Sequence, residues 1–124
     1  KEKTKPEITV PSGAPPKQLE TKDLETGTGP AAKAGDEVTV QYVGVGHDSK
    51  EEFDASWDRG EPFTFNLGAG EVIPGWDQGI EGMRVGGRRE LVIPPQLAYG
   101  PAGSPPVIGP NEALIFVVDL EAVK

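Results

Sequence analysis

The sequence predicts an α+β domain in which a twisted antiparallel sheet of about five strands wraps around one short helix. Three observations predict it. Apolar and polar residues alternate in several separate segments, which is the period of a half-buried strand. A single segment, residues 73–83, spaces its apolar residues by three and four instead. Strands and helices do not alternate along the chain, which excludes a doubly wound parallel sheet.

Taken in order, residues 1–17 form a Pro-rich N-terminal extension, expected to be flexible and partly extended, and residues 18–124 form the folded domain. Within the extension, Ile8-Thr9-Val10 is the one stretch that could pair with a sheet edge. Leu19 to Leu24 reads as a first strand, closed by the turn residues of Glu25-Thr-Gly-Thr-Gly-Pro. Glu37 to Val45 is the clearest strand. Val38, Val40 and Tyr42 lie on one of its faces, and Thr39, Gln41 and Val43 on the other. The polar residues 46–52 make a hairpin-like connection to a short extended piece that starts at Phe53 and ends in Trp57, Asp58 and Arg59. Pro62 to Leu67 alternates again, with Phe63, Phe65 and Leu67 on one face.

The helical stripe is Ile73, Trp76, Ile80 and Met83, with Pro74 suited to the first turn and Gly82 or Gly86 to the exit. So short a helix needs a sheet to rest on. Arg88 to Ile93 is the next strand, stopped by Pro94-Pro95. Gln96 to Tyr99 is a brief turn or helical piece. Residues 100–112 form a long loop containing four prolines. Leu114 to Val123 is the last strand, with Leu114, Phe116, Val118 and Leu120 on one face.

Charge and composition exclude several functions. The formal net charge is −8, and residues 17–124 hold nine Lys/Arg against eighteen Asp/Glu. Such a domain repels phosphate backbones and anionic lipid, so nucleic acid is not an expected partner. The basic cluster Arg84, Arg88 and Arg89 reads as solvated surface. No apolar run approaches the roughly 18 residues of a membrane span. The chain begins at Lys1 without a Met or a signal-peptide pattern, so upstream residues are expected to have been removed. A bacterial cytoplasm and an exported or envelope location both stay open. No oligomerisation stripe is visible, and a monomer is expected.

Conventional catalytic chemistry finds little support. There is no cysteine, and the single histidine, His47, stands in a polar stretch and reads as an exposed loop residue. The adjacent pairs Asp36-Glu37 and Glu51-Glu52 read as solvated charge. No metal site is expected, nor any cofactor, since zinc spacing, calcium loops, phosphate loops and nucleophile elbows are all missing. What stands out is the aromatic set. Tyr42, Phe53, Phe63, Phe65, Trp76, Tyr99 and Phe116 all fall on or beside ordered elements. Aromatics so placed build either a core or a pocket, and the residues alone leave both open.

Seven segments, in this order and spacing, resemble the FKBP isomerases. They are QYVG at 41–44, EFDAS at 52–56, DRGEPFTFNLG at 58–68, EVIPGWDQGIEGM at 71–83, VGGRRELVIPP at 85–95, LAYG at 97–100 and ALIFVVDLEAV at 113–123. The wording W-D-R-G and G-G-R-R is similar to bacterial, in particular actinobacterial, single-domain members. The resemblance covers residues 18–124 and implies an FKBP-like fold with the site between helix and sheet. It implies that Trp76 is the pocket floor and that Tyr42, Phe63 and Phe116 are the walls. Val72 and Ile73 would line the rim, with Phe53 on the border. Asp54 would be a buried carboxylate beside the substrate amide, paired with Arg59, and Tyr99 a hydroxyl donating to a substrate carbonyl. Val107 and Ile108 would form the tip of an overhanging loop. Asp54, Tyr99, Trp76, Phe116 and Tyr42 are thus the implied catalytic set. Ser104 replaces a loop histidine common in the family, Leu97 a tyrosine found in some members, and loop 46–52 is one residue longer than in the shortest members. These departures bear on substrate preference and drug affinity.

The implied activity is peptidyl-prolyl cis/trans isomerisation of proline-containing polypeptides during folding, inhibitable by macrolides of the rapamycin class. It requires no acid, base or nucleophile. Amide resonance imposes a torsional barrier of about 18–20 kcal/mol, and twisting removes the charge separation that resonance creates. A dry aromatic pocket therefore favours the twisted amide. Asp54 admits two roles, a structural ion pair with Arg59 or a direct electrostatic influence on the amide. Another reading of the whole chain is a proline-binding folding helper with little turnover, and a third is an extracytoplasmic scaffold tethered by its extension.

Overall fold

The computed structural model describes residues 4–11, 13–104 and 108–124. Six strands form one antiparallel sheet: β1 (Glu20–Glu25), β2 (Glu37–Gly46), β3 (Glu52–Ala55), β4 (Phe63–Asn66), β5 (Arg88–Ile93) and β6 (Leu114–Val123). The order across the sheet is β1-β5-β6-β2-β3, and β4 also pairs with β2. β3 meets β2 at residues 43–45, whereas β4 meets it at residues 37–40. The two short strands therefore follow one another along the same edge of β2. The strand beyond the expected five is β3, read from sequence as a short extended piece.

The break between β3 and β4 is a single helical turn, α1 (Ser56–Arg59), where an extended piece was expected. Its anchor is Ser56. The Ser56 hydroxyl accepts from the Tyr42 N–H at 2.7 Å and donates to Gln41 Oε1 at 2.6 Å. Gly60, at φ 70°, ends the turn in the left-handed region.

The two long central strands, β2 and β6, pair from Val38 opposite Val123 to Gly46 opposite Leu114, with one register shift between Thr39 and Val40. Val38, Val40 and Tyr42 on β2 and Leu114, Phe116, Val118 and Leu120 on β6 are buried on the inner face, as their alternation predicts. Helix α2 (Pro74–Gly79) packs on that face. It is shorter than the stripe of apolar residues implied: Ile73 and Ile80 are its caps, and Met83 lies beyond it in a turn, still buried in the core. Two buried glycines bring α2 down onto β5. A Cβ on Gly75 would lie 2.5 Å from Ile93, and one on Gly79 would lie 2.9 Å from Leu91. Gly82, at φ 91°, belongs to the exit turn as expected.

The outer face of the sheet is not bare. Ile8 and Val10 of the N-terminal extension pack against Val43, Val45, Ala55 and Trp57. The Ile8-Thr9-Val10 stretch forms no strand and covers a face rather than pairing with an edge. Lys5 ion-pairs with Glu52 at 2.9 Å and Asp58 at 3.0 Å. The arginine cluster also departs from expectation. Arg88 binds the buried Asp119 at 2.7 Å, and Arg89 binds Asp23 while donating to the carbonyls of Gly79 and Glu81 at the end of α2. Only Arg84 is exposed. His47 is buried as well, at 3% exposure, because the turn after β2 folds under the loop before β6 and its N–H donates to Ala113 O.

No helix among the described residues is long and apolar enough to cross a membrane.

Candidate active site

Between α2 and the inner face of the sheet opens a cavity of about 230 Å³. That is below the ~300–1,000 Å³ of drug-sized pockets. Its floor is the Trp76 indole, 4% exposed, which α2 delivers from its first turn, two residues after Pro74. Three rings meet the indole edge-on, with centroids at 4.9 Å (Tyr42), 5.2 Å (Phe116) and 6.1 Å (Phe63). Edge-to-face contacts of this kind stabilise rings at fixed angles. The indole Nε1 is buried and has no hydrogen-bond partner.

The walls come from strands whose pattern makes room for them. Gly44 interrupts the alternation of β2 because two rings cross there. A Cβ at Gly44 would lie 2.6 Å from Phe53 and 2.7 Å from Phe116. Phe53 and Phe116 then meet at 89° and 5.5 Å. Phe63 stacks on Phe65 at 5.5 Å and leaves one side of its ring exposed to the cavity mouth.

The polar wall is a three-residue network. Tyr42 donates its hydroxyl to Asp54 Oδ2 at 2.5 Å. Arg59 donates through Nη1 to Asp54 Oδ1 and through Nη2 to the Tyr42 oxygen at 2.9 Å. Its guanidinium carbon also stands 5.6 Å from the centre of the Tyr42 ring. Burial, followed by the hydrogen bond to Asp54, raises the Tyr42 phenol above its ordinary value of 10.0. The phenol therefore stays a neutral donor. The hydrogen bonds Arg59 donates to Tyr42 and Asp54 raise its guanidinium further, so it is a permanent cation. The Tyr99 hydroxyl differs from these groups. Tyr99 is 43% exposed at the cavity rim, and its hydroxyl has no hydrogen-bond partner among the described residues.

The rim opposite is held by two carboxylates. Asp77 on α2 accepts from the N–H groups of Gly68 at 2.8 Å and Gly70 at 3.1 Å. Glu71 accepts from the Asn66 N–H at 2.9 Å and side-chain amide at 3.0 Å, and these bonds hold its carboxyl below the usual range. Together they shape the turn that presents Val72 and Ile73.

Of the residues singled out from sequence, Tyr42, Phe53, Asp54, Phe63, Val72, Ile73, Trp76, Tyr99 and Phe116 line the cavity. Arg59 stands behind Asp54 and Tyr42. Ile108 is 3% exposed in the core cluster and is not part of the lining. Val107 lies outside the described residues. Glu71 lines the cavity and went unnoticed, because a polar residue in a turn carries no distinguishing signal. Gly44 was not singled out either, although a glycine inside a strand is a signal of close approach. Among the described residues no group of three or more His, Cys, Asp or Glu could hold a metal.

The comparisons with known proteins agree with this geometry. The family model for FKBP-type peptidyl-prolyl cis-trans isomerase matches residues 29–121. An FK506-binding protein of Streptomyces anulatus is 59% identical over 96% of this chain and 97% of its own. A probable FK506-binding protein of Corynebacterium glutamicum is 50% identical over 94% of this chain and 96% of its own. The crystal structure of FkpA from Escherichia coli superposes with a TM-score of 0.77 at 49% identity, covering 86% of this chain and 48% of that one. An aromatic cavity over a helix-borne indole, on this fold and with these relatives, makes the chain a member of the FKBP-type peptidyl-prolyl cis-trans isomerases.

Proposed function

We propose that the prolyl ring of an X-Pro substrate sits on the Trp76 indole between Tyr42, Phe63 and Phe116. The Tyr99 hydroxyl then donates to a substrate carbonyl. The observation that carries this reading is the contrast between the two hydroxyls. Tyr42 is committed to Asp54 and Arg59, whereas the Tyr99 hydroxyl, at the cavity rim, bonds to no other described residue. The cavity supplies a dry environment and, among the described residues, a hydroxyl donor left unengaged at its rim, which suits a torsion more than a bond cleavage.

The planar amide loses more hydration on entry than the twisted one, so the apolar walls lower the barrier selectively. A 10⁴-fold acceleration corresponds to about 5.4 kcal/mol of such selectivity, at roughly 1.36 kcal/mol per decade. Tyr99 anchors one end of the bond while the other rotates. Asp54 and Arg59 hold the Tyr42 wall upright. Macrolides of the kind that the relatives' names specify compete for the same cavity, with most of their bulk outside its small volume. The extension, residues 1–17, packs on the outer face of the catalytic domain of residues 18–124 and contributes no described residue to the cavity, and the protein acts as a monomer on proline-containing polypeptides.

The test is the rate of cis-to-trans conversion of a short X-Pro peptide, with and without the protein and with FK506 added. Acceleration that FK506 abolishes supports the reading. Binding of the peptide without acceleration supports the folding helper of little turnover instead.

A further inference from the structure

Glu112 is a buried acid that the pocket chemistry leaves unused. It is 6% exposed, and no ion pair compensates it among the described residues. Backbone donors do so instead. Oε2 accepts from the Ser49 N–H at 3.0 Å, and Oε1 accepts from the Gly109 N–H at 2.9 Å. A buried carboxylate held by backbone N–H groups is costly to place and strongly oriented once placed. The two donors belong to different segments: Ser49 to the turn between β2 and β3, and Gly109 to the loop between Tyr99 and β6.

Two further observations converge on the same spot. The non-glycine residues with positive φ among those described are Lys50, at 60°, and Asn111, at 54°. One stands in each of the two segments that Glu112 joins. Such conformations persist where surrounding bonds over-determine them. Gly46 faces the carboxylate so closely that a Cβ there would lie 2.3 Å from Oε2 and 2.5 Å from Ser49 Oγ. The position is open because Glu112 fills it.

The path from this anchor to the cavity is short. Asn111, next to Glu112, donates its N–H to Gly100 O at 2.9 Å. Ile108, next to Gly109, exchanges two backbone bonds of 2.9 Å with Ser104, and Gly103 donates to Tyr99 O at 3.2 Å. Tyr99 thus begins a loop with no long strand partner, tied down at its far end by Glu112. We infer that Glu112 is a positioning residue that holds the Tyr99 hydroxyl over the pocket by locking this loop to the β2–β3 turn. The inference rests on the reading of Tyr99 as the donor to a substrate carbonyl.

The experiment is a double-mutant cycle, since spatial intermediacy alone does not establish coupling. The kcat/KM for an X-Pro peptide is measured for wild type, Tyr99→Phe, Glu112→Ala and the double variant. If Tyr99→Phe costs about tenfold in the wild-type background, it is expected to cost threefold or less beside Glu112→Ala. Gly46→Ala, which displaces the carboxylate, is expected to reproduce Glu112→Ala and not to add to it. Glu112→Gln, which keeps one acceptor oxygen, is expected to recover part of the coupling. Costs that multiply independently overturn the inference. If Glu112→Ala fails to fold, Gly46→Ala and Glu112→Gln carry the cycle. If Tyr99→Phe is silent in wild type, the carbonyl reading of Tyr99 falls, and amide exchange decides the positioning claim. Exchange at Asn111 and Gly103 at least about tenfold faster without Glu112, with Val118 unchanged, upholds it. Unchanged exchange at both overturns it.

Discussion

The hydroxyl of Tyr42 and the carboxylate of Asp54 are joined at 2.5 Å, and Arg59 closes the triangle on both. Each Asp54 oxygen is therefore already engaged by a protein donor. Its side chain is also 40% exposed, which weakens any field it projects onto a bound amide. Asp54 is expected to matter through the shape it gives the Tyr42 wall. Asp54→Asn, which keeps an acceptor for the phenol, should retain more than about a third of wild-type kcat/KM. Asp54→Val strands two donors and should lose roughly tenfold or more. Equal losses in the two variants, measured by peptide isomerisation, would return Asp54 to a direct electrostatic role.

The same triangle sets a pH expectation. Tyr42 is raised above 10.0 by burial and by its bond to Asp54. In the unfolded chain the phenol ionises first, so above pH 10 the unfolded state binds fewer protons than the native one. Stability contributed by Tyr42 is thus present below pH 10 and lost as pH rises through the folded value. Urea unfolding between pH 8 and 11 should show a steeper alkaline decline in wild type than in Tyr42→Phe. A parallel decline in the two would remove Tyr42 from the account.

The two tryptophans offer separate reporters. Trp76 lies on the cavity floor, whereas Trp57 lies on the outer face, packed with Ile8 and Val10. FK506 should alter the emission of Trp76 and leave that of Trp57 unchanged. A Trp57→Phe protein is therefore expected to keep the ligand-induced change and a Trp76→Phe protein to lose it. Loss of the response in Trp57→Phe instead would place the ligand elsewhere.

Much of this architecture was legible from spacing. The inner faces of β2 and β6 came out as read because Val38, Val40 and Tyr42, and Leu114, Phe116, Val118 and Leu120, belong to the core cluster that includes Trp76 of α2. The pocket residues were legible through the family's motifs, not through periodicity, since Phe63 or Trp76 reads equally well as core. What escaped notice involves contacts distant in sequence. Arg88 and Arg89 look like surface charge until Asp119 and Asp23 are brought beside them by the pairing of β5 with β6 and β1. His47 looks exposed until the loop before β6 covers it. α1 is one turn long, too short for any period to reveal, and its cause is the Ser56 hydroxyl.

Glu112 shows how a single acid of this kind registers in stability. Burial pushes its carboxyl up, but the N–H groups of Ser49, Gly109 and Asp48 and the Ser49 hydroxyl outweigh this and hold it below its ordinary value of 4.5. A depressed folded pKa adds stability above the unfolded value and loses it as pH falls through the folded one. Glu71 and Asp58 are depressed too, so the wild-type profile alone does not isolate Glu112. The difference between wild type and Glu112→Gln does. It should be full near pH 6 and shrink steadily below about 4.5. A difference that stays constant from pH 6 to pH 3 would mean that the charge on Glu112 contributes nothing.

The extension over the outer face contains two kinds of contact, and they should behave differently. Lys5 meets Glu52 and Asp58 at exposed positions, and its ammonium depresses the Asp58 carboxyl. Exposed pairs of this sort are screened, with a Debye length of about 3 Å in 1 M salt. Lys5→Ala should therefore lower Tm slightly in dilute buffer and not at all in 1 M NaCl. Ile8 and Val10 bury apolar surface against Val43, Val45, Ala55 and Trp57, and salt does not weaken that contact. Ile8→Ser is expected to cost about 1 kcal/mol, a Tm shift of roughly 3–6 °C at this chain length. It should also red-shift Trp57 emission as water reaches the indole. An Ile8→Ser protein with wild-type Tm and unchanged Trp57 emission would show that the extension leaves this face open in solution.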